Sequence, residues 1–195
     1  MASRGWTWIL AVAGATAAVL VVTLALRVRD LTDEVRRLRF ERNLPQVGDL
    51  VPNTRVRQLG ADSVALGQRG AAVRQVWFVF DTSCPICAAS LPDWNAVADR
   101  LRADSTVLVL GLSLDSAAVT QSYMRAHHLV FPVALLEAAK AAGSYRIRGV
   151  PLTIVVDQAA RIRLVRPGRF TAAAGDSLLQ FLAADSAASE VVAGR

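Results

Sequence analysis

Val76-Trp-Phe-Val-Phe-Asp-Thr-Ser-Cys-Pro-Ile-Cys-Ala-Ala-Ser-Leu-Pro92 decides how the rest of the chain is read. Val76 to Phe80 is apolar without alternation, the pattern of a strand buried on both faces at the centre of a helix-covered sheet. Cys84 and Cys87, the only cysteines of the chain, follow at a two-residue separation. That spacing lets them close a disulfide across the first turn of a helix, and Pro85 at an early helical position costs no hydrogen bond. A sulfur at such a helix start meets unpaired backbone N–H groups and the positive end of the helix dipole, which favour thiolate over thiol. Cys84 is therefore the expected nucleophile. Two plainer readings stand beside this one: a pair of small core residues, or half of a zinc site. The only histidines, His127 and His128, are adjacent, and neighbouring residues of a helix point in different directions, so a metal is not expected. No cofactor is expected either.

With 195 residues, more than half of them apolar, the chain suits one domain plus an appendage. The net charge of +6 is carried almost wholly by arginine and divides about evenly between the first forty-odd residues and the remainder. The globular part is thus only mildly basic. It has no basic cluster interleaved with aromatics and no recognisable binding module, so nucleic acid is not an expected partner. The absence of further cysteines means that structural disulfides do not hold the domain together.

Residues 1–5 form a short tail. Trp6 to Leu26 carries no charge and as a helix would span about 31 Å, which matches a hydrocarbon core of about 30 Å. The stretch reads as one transmembrane helix in a lipid bilayer, with Trp6 and Trp8 at one interface and Arg27 and Arg29 at the other. A cleaved signal peptide is the alternative, although the apolar run is long for one and no clear cleavage site follows. Leu24, Val28, Leu31, Val35 and Leu38 continue the helical spacing, so 27–44 reads as a juxtamembrane stalk that ends at Leu44-Pro45. The arginines after the span favour a cytoplasmic domain by the positive-inside tendency, whereas dithiol chemistry favours the compartment where disulfides persist. The second consideration carries more weight, and the expected location is the bacterial inner membrane with the domain periplasmic.

Residues 45–184 form the domain. Arg55 to Leu59 and Ser63 to Leu66 make a hairpin; Val107 to Leu112 is a second buried strand; and Pro92 should kink the helix that follows the cysteines. Asp115 is expected to cap a helix reaching about His127. Phe131 to Val133 is a short strand, Glu137 to Tyr145 a short helix, Leu152 to Val156 and Arg161 to Val165 a strand pair, and Ala172 to Ala184 the last helix. Residues 185–195 read as a frayed tail. The order gives an α/β fold, a mixed sheet with helices on both faces.

Cys-x-x-Cys after the central strand and Gly149-Val150-Pro151 before a later one resemble the thioredoxin superfamily. The added N-terminal hairpin, Val47-Gly-Asp-Leu-Val-Pro52 and Phe131-Pro-Val133 are similar to its membrane-anchored TlpA/ResA branch, which shares a redoxin domain with peroxiredoxins. The Cys84-Pro-Ile-Cys87 box with Leu91-Pro92 is also similar to accessory (MauD-like) proteins of methylamine dehydrogenase maturation. The resemblance implies a thioredoxin-like fold and an extracytoplasmic thiol-disulfide oxidoreductase. Its implied partners are protein thiol or disulfide clients, with room for a membrane-embedded electron donor and a service to cytochrome c or exported-oxidase maturation. It makes Cys84 the attacking and Cys87 the resolving sulfur of a redox-active disulfide, and Pro151 a cis-proline that sets the Val150 backbone beside them to hold a substrate chain. An ordinary trans proline is the plainer reading of Pro151. Ser83 and Pro85 flank the substrate side.

The chain departs from the pattern at three places. Ser83 stands where the family usually has tryptophan, Phe78 where thioredoxin has a buried aspartate, and Ser90 where the reductive branch has glutamate. Asp81 is the nearest replacement acid for proton transfer, alone or with a water, and a surface loop aspartate is the plainer reading. A peroxiredoxin-like thiol peroxidase and a non-catalytic tethered binding domain are the rival functions. The first lacks a proline anywhere in Ala71 to Phe80.

Overall fold

The computed structural model describes residues 19–32, 34–35, 44–68 and 73–193, with side chains through Asp185. It divides into two units, Met1–Asn43 and Leu44–Arg195. In the first, residues 19–32 are helical and exposed throughout. Residues 6–18 of the apolar stretch and 36–43 of the stalk lie outside the described residues. Among the described residues no helix is long and apolar enough to cross a membrane.

The second unit begins with β1 (Thr54–Val56) and β2 (Val64–Leu66), which pair antiparallel. β3 (Arg74–Phe80) is followed by α1 (Pro85–Ala88), α2 (Leu91–Leu101), β4 (Val107–Ser113), α3 (Ala117–Ala126) and β5 (Val133–Leu135). Then come α4 (Ala138–Ser144), β6 (Leu152–Val156), β7 (Ile162–Pro167) and α5 (Ala172–Ala193). The five-stranded sheet has the order β5-β4-β3-β6-β7. β3, β4 and β5 run parallel because helices carry the chain back between them, while β6 is antiparallel to β3 and makes a hairpin with β7.

All seven residues of β3 are buried, as its unalternating composition requires. Successive side chains point to opposite faces, so Val76, Phe78 and Phe80 enter one core with Cys87, Trp94, Tyr123 and Phe170. Trp77 and Val79 enter the other, with Leu66, Leu110, Tyr145 and Ile154. On the first side Phe78 stacks on Trp94 at 5.1 Å and meets Phe131 edge-on at 5.3 Å. Gly111 of β4 lets Phe131 approach that closely: a Cβ there would lie 2.8 Å from the Phe131 Cε2.

Several boundaries differ from the sequence expectation. The helix after the cysteines is broken rather than bent, because Pro92 takes an early position in a second helix begun at Leu91. Ser116, not Asp115, is the N-cap of α3. The short strand is Val133–Leu135, shifted past Pro132, which has no N–H to give a ladder. The last helix runs on to Ala193 rather than stopping at Ala184. Asp185, read as the start of a frayed tail, lies at 11% side-chain exposure within reach of Arg163 and Arg74, and those charges hold the helix down beyond the expected end.

Candidate active site

The backbone leaves β3 at Phe80 and turns within four residues into α1. Asp81 builds that turn. Its carboxylate accepts from the Ser83 N–H at 2.8 Å and from the Ser83 hydroxyl, and its carbonyl accepts from the Cys84 N–H at 3.2 Å. This is the local side-chain-to-backbone bonding for which aspartate is favoured in turns. The Asp115 carboxylate, expected to cap its own helix, reaches the Thr82 N–H instead at 2.7 Å. Asp81 therefore sits on the loop as a turn former, and its side chain is already engaged.

Cys84 is the N-cap of α1. Its sulfur accepts from the Cys87 N–H at 3.3 Å, and its thiol donates to the Val150 carbonyl at 3.9 Å. The Val150–Pro151 bond is cis, and the Gly168 N–H closes on the Pro151 carbonyl at 3.0 Å. The structure thus brings Cys84, Cys87, Val150 and Pro151 together, with Ser83 and Pro85 exposed on the rim. Both cysteines are free thiols; Cys84 is half-buried and Cys87 buried. Ile86, between them, is 51% exposed, so an apolar side chain faces solvent beside the sulfur that a visitor can reach.

The two sulfurs differ in electrostatic setting. Burial pushes the Cys87 thiol up from about 9 to about 12, and the hydrogen bond with Cys84 adds to this. A backbone hydrogen bond from Asp81 works the other way, while the charges of Cys84 and Asp81 push further upward. Cys87 therefore stays protonated at rest, behind a sulfur that is open to the surface.

No carboxylate lies where thioredoxin-type proteins keep one. Phe78 is closed in by Trp94, Phe131 and Phe170. Ser90 is fully buried and acts as a staple: its hydroxyl donates to the Ile86 carbonyl at 2.9 Å and accepts from the Phe170 N–H at 3.0 Å. Trp94, from the same helix, donates to the Thr153 hydroxyl at 3.2 Å, tying α2 to the strand that follows Pro151. Among the described residues no group of three or more His, Cys, Asp or Glu is arranged to hold a metal, and His127 and His128 lie at the exposed end of α3.

Sequence reasoning missed Tyr123. It is buried in the core that holds Cys87 and stacks on Phe80 at 5.7 Å. Burial, followed by the charges of Cys87, Cys84 and Asp81, pushes its phenol up to about 12. The available signal was Thr120 and Tyr123 at helical spacing, a polar pair on an inward face.

Several solved structures share this fold. The thioredoxin domain of a thiol-disulfide oxidoreductase from Bacteroides vulgatus is 18% identical, with a TM-score of 0.60 over 70% of this chain and 97% of that one. A DsbF homologue from Corynebacterium diphtheriae is 22% identical, with a TM-score of 0.58 over 70% and 87%. StoA from Bacillus subtilis is 18% identical, with a TM-score of 0.54 over 62% and 91%. No curated protein matches the sequence. Residues 47–165, from the loop before β1 into β7, match the AhpC/TSA family. With that match and a paired dithiol on a thioredoxin-like fold, the chain belongs to the AhpC/TSA family and is an oxidoreductase.

Proposed function

We propose that the protein is a membrane-tethered thiol-disulfide oxidoreductase that exchanges disulfides with exported client proteins through Cys84 and Cys87. One observation carries the reading: a half-buried Cys84 against the Val150 carbonyl, with a buried Cys87 one turn behind it. In the reductive direction the Cys84 thiolate attacks a client disulfide, one client sulfur leaves as thiolate, and a mixed disulfide forms. Cys87 then loses its proton and attacks the Cys84 sulfur. The second client sulfur leaves and is protonated, and the pair ends as a disulfide, two electrons having passed to the client. The oxidative direction is the same path reversed.

Burial supports this order of the sulfurs, because the thiolate is the attacking species and Cys84 is the less buried of the two. The Val150 backbone, with Ser83, Pro85 and Ile86 on the rim, supplies the edge against which an extended client segment lies. The small Ser83 leaves that groove open. The apolar stretch 6–26 and the exposed helix that continues it support a bilayer anchor, and the dithiol supports a periplasmic domain. Cytochrome c or exported-oxidase maturation is the client pathway to which the resemblance points. Trapping in cells with Cys87→Ala tests the reading: a client is expected to remain covalently held at Cys84 and to be absent when Cys84→Ser is added. Full complementation by the Cys84→Ser, Cys87→Ser double variant would leave a binding module. Reporter fusions at the carboxyl terminus test the orientation, and cytoplasmic activity would overturn it.

The family match favours a second reading, a thiol peroxidase. A peroxidatic Pro-x-x-x-Thr-x-x-Cys pattern counted back from Cys84 falls on Asp81 and Trp77, so two of its three residues are missing. Hydrogen peroxide consumption with a thiol donor would establish it.

A further inference from the structure

Resolution of the mixed disulfide requires a thiolate on Cys87, yet burial holds that sulfur protonated and the familiar carboxylates are replaced by Phe78 and Ser90. One buried polar group near the pair has no assigned use. The Tyr123 hydroxyl is the only buried side-chain oxygen or nitrogen among the described residues without a hydrogen-bond partner. A buried hydroxyl without a hydrogen bond is destabilising, so its presence calls for a physical reason.

Its position is fixed from three sides. The Asp115 carboxylate, in the loop leading into α3, is bonded to the Thr82 N–H of the active-site turn at 2.7 Å. One turn before Tyr123, the Thr120 hydroxyl is bonded to the Ser113 hydroxyl of β4 at 2.8 Å. The ring itself lies against Phe80 at 5.7 Å and 22°, and Phe80 is the residue from which the chain enters the Cys84 turn. The titratable groups around the phenol are Cys87 in the same core, Cys84 and Asp81 at its edge, and His127 at the end of its own helix, with ring centroids 4.3 Å apart. The phenol keeps its proton in this setting, so it has a hydrogen to donate. The Asp81 carboxylate already accepts twice from Ser83. The acceptor that appears during the reaction is the Cys87 thiolate.

We propose that Tyr123 is a positioning residue for the resolving step: its phenol turns to donate a hydrogen bond to the Cys87 thiolate as that thiolate forms, and releases it when Cys87 bonds to Cys84. The phenol keeps its proton throughout, and the Cys87 proton leaves to water. The inference rests on the exchange reading for its purpose, but the coupling it asserts is a property of the two side chains.

Alkylation of Cys87 by iodoacetamide in the full chain carrying Cys84→Ala, followed by mass from about pH 7 to about pH 11, measures it directly. Adding Tyr123→Phe keeps the ring stacked and removes only the donor. The alkylation rate across that range, which reads the small thiolate fraction of Cys87, is expected to fall about tenfold, the scale of one hydrogen bond to a charged group. In a Tyr145→Phe background Tyr123 is the one remaining tyrosine, and 3-fluorotyrosine, a stronger donor, should move the rate the other way. Superimposable profiles for all three proteins would overturn the proposal, whatever happens to stability. If the profiles shift but the unaltered dithiol fails to exchange with a model disulfide, the coupling stands and the exchange function falls.

Discussion

Each face of the central sheet buries one tyrosine, and the two are treated differently. Tyr145, among Trp77, Leu66 and Ile154, donates to the Pro52 carbonyl at 3.3 Å. The Trp77 indole on the same side donates to Gln75 at 2.9 Å, and Gln75 in turn donates to the Ala65 carbonyl at 2.9 Å. The Tyr123 hydroxyl, on the face that carries the cysteines, has no hydrogen-bond partner among the described residues. Polar groups of the scaffold face are thus satisfied at rest, as buried groups ordinarily are, while the chemical face holds an uncommitted donor and a thiol forced to stay neutral. One strand of seven buried residues serves both purposes because alternate side chains go to opposite sides.

The sharpest way to break this contrast is to hollow out each face in turn. Phe78→Ala and Trp77→Ala each remove a fully buried ring and are expected to cost about 3–5 kcal/mol in urea unfolding. Only Phe78→Ala should also speed the alkylation of Cys87, since it opens the core around that sulfur; an equal change from Trp77→Ala would erase the distinction. Gly111→Ala tests the chemical face more gently. Its new Cβ would press on Phe131 at 2.8 Å and Val133 at 3.0 Å, and the expected loss is about 1–3 kcal/mol.

Alkaline titration compares the same faces through their protons. The Cys87 thiol is held from about 9 up to about 12 in the folded protein. The unfolded chain therefore gives up that proton first. The stability it confers is complete below about pH 9 and falls as pH rises toward about 12, by up to about 1.4 kcal/mol per pH unit. Cys87→Ala should flatten that decline, and an unchanged slope would mean that the thiol is not desolvated. The smallest expected difference separates the tyrosines themselves. Tyr145→Phe forfeits a hydrogen bond and should cost about 1 kcal/mol, whereas Tyr123→Phe discards an unpaired hydroxyl and should leave stability level or raise it.

Much of this was legible in the sequence where the cause is local. The unalternating Val76 to Phe80 run fixes a strand buried on both sides, and Pro85 after Cys84 fixes the start of α1. Gly149-Val150-Pro151 marks the loop beside the cysteines only through its family resemblance. What the sequence hid depends on partners far along the chain. Asp115 reads as a helix cap because a cap is the nearest use for it, yet its carboxylate is spent on Thr82, 33 residues away. Ser90 reads as the loss of an acid, and its bond to Phe170 bridges 80 residues. Tyr123 reads as one more helical aromatic until the crossover from β4 to β5 lays α3 against Phe80. Asp185 reads as tail until Arg163 and Arg74 come within reach.

The division of labour between the sulfurs is tested most directly by mass spectrometry of single-cysteine chains mixed with a small model disulfide. The full chain with Cys87→Ala should accumulate a one-to-one mixed disulfide at Cys84, and the chain with Cys84→Ala should form almost none over the same interval near neutral pH. Equal adduct on both variants, or adduct on Cys87 alone, would contradict the assignment of Cys84 as the sulfur that meets the client.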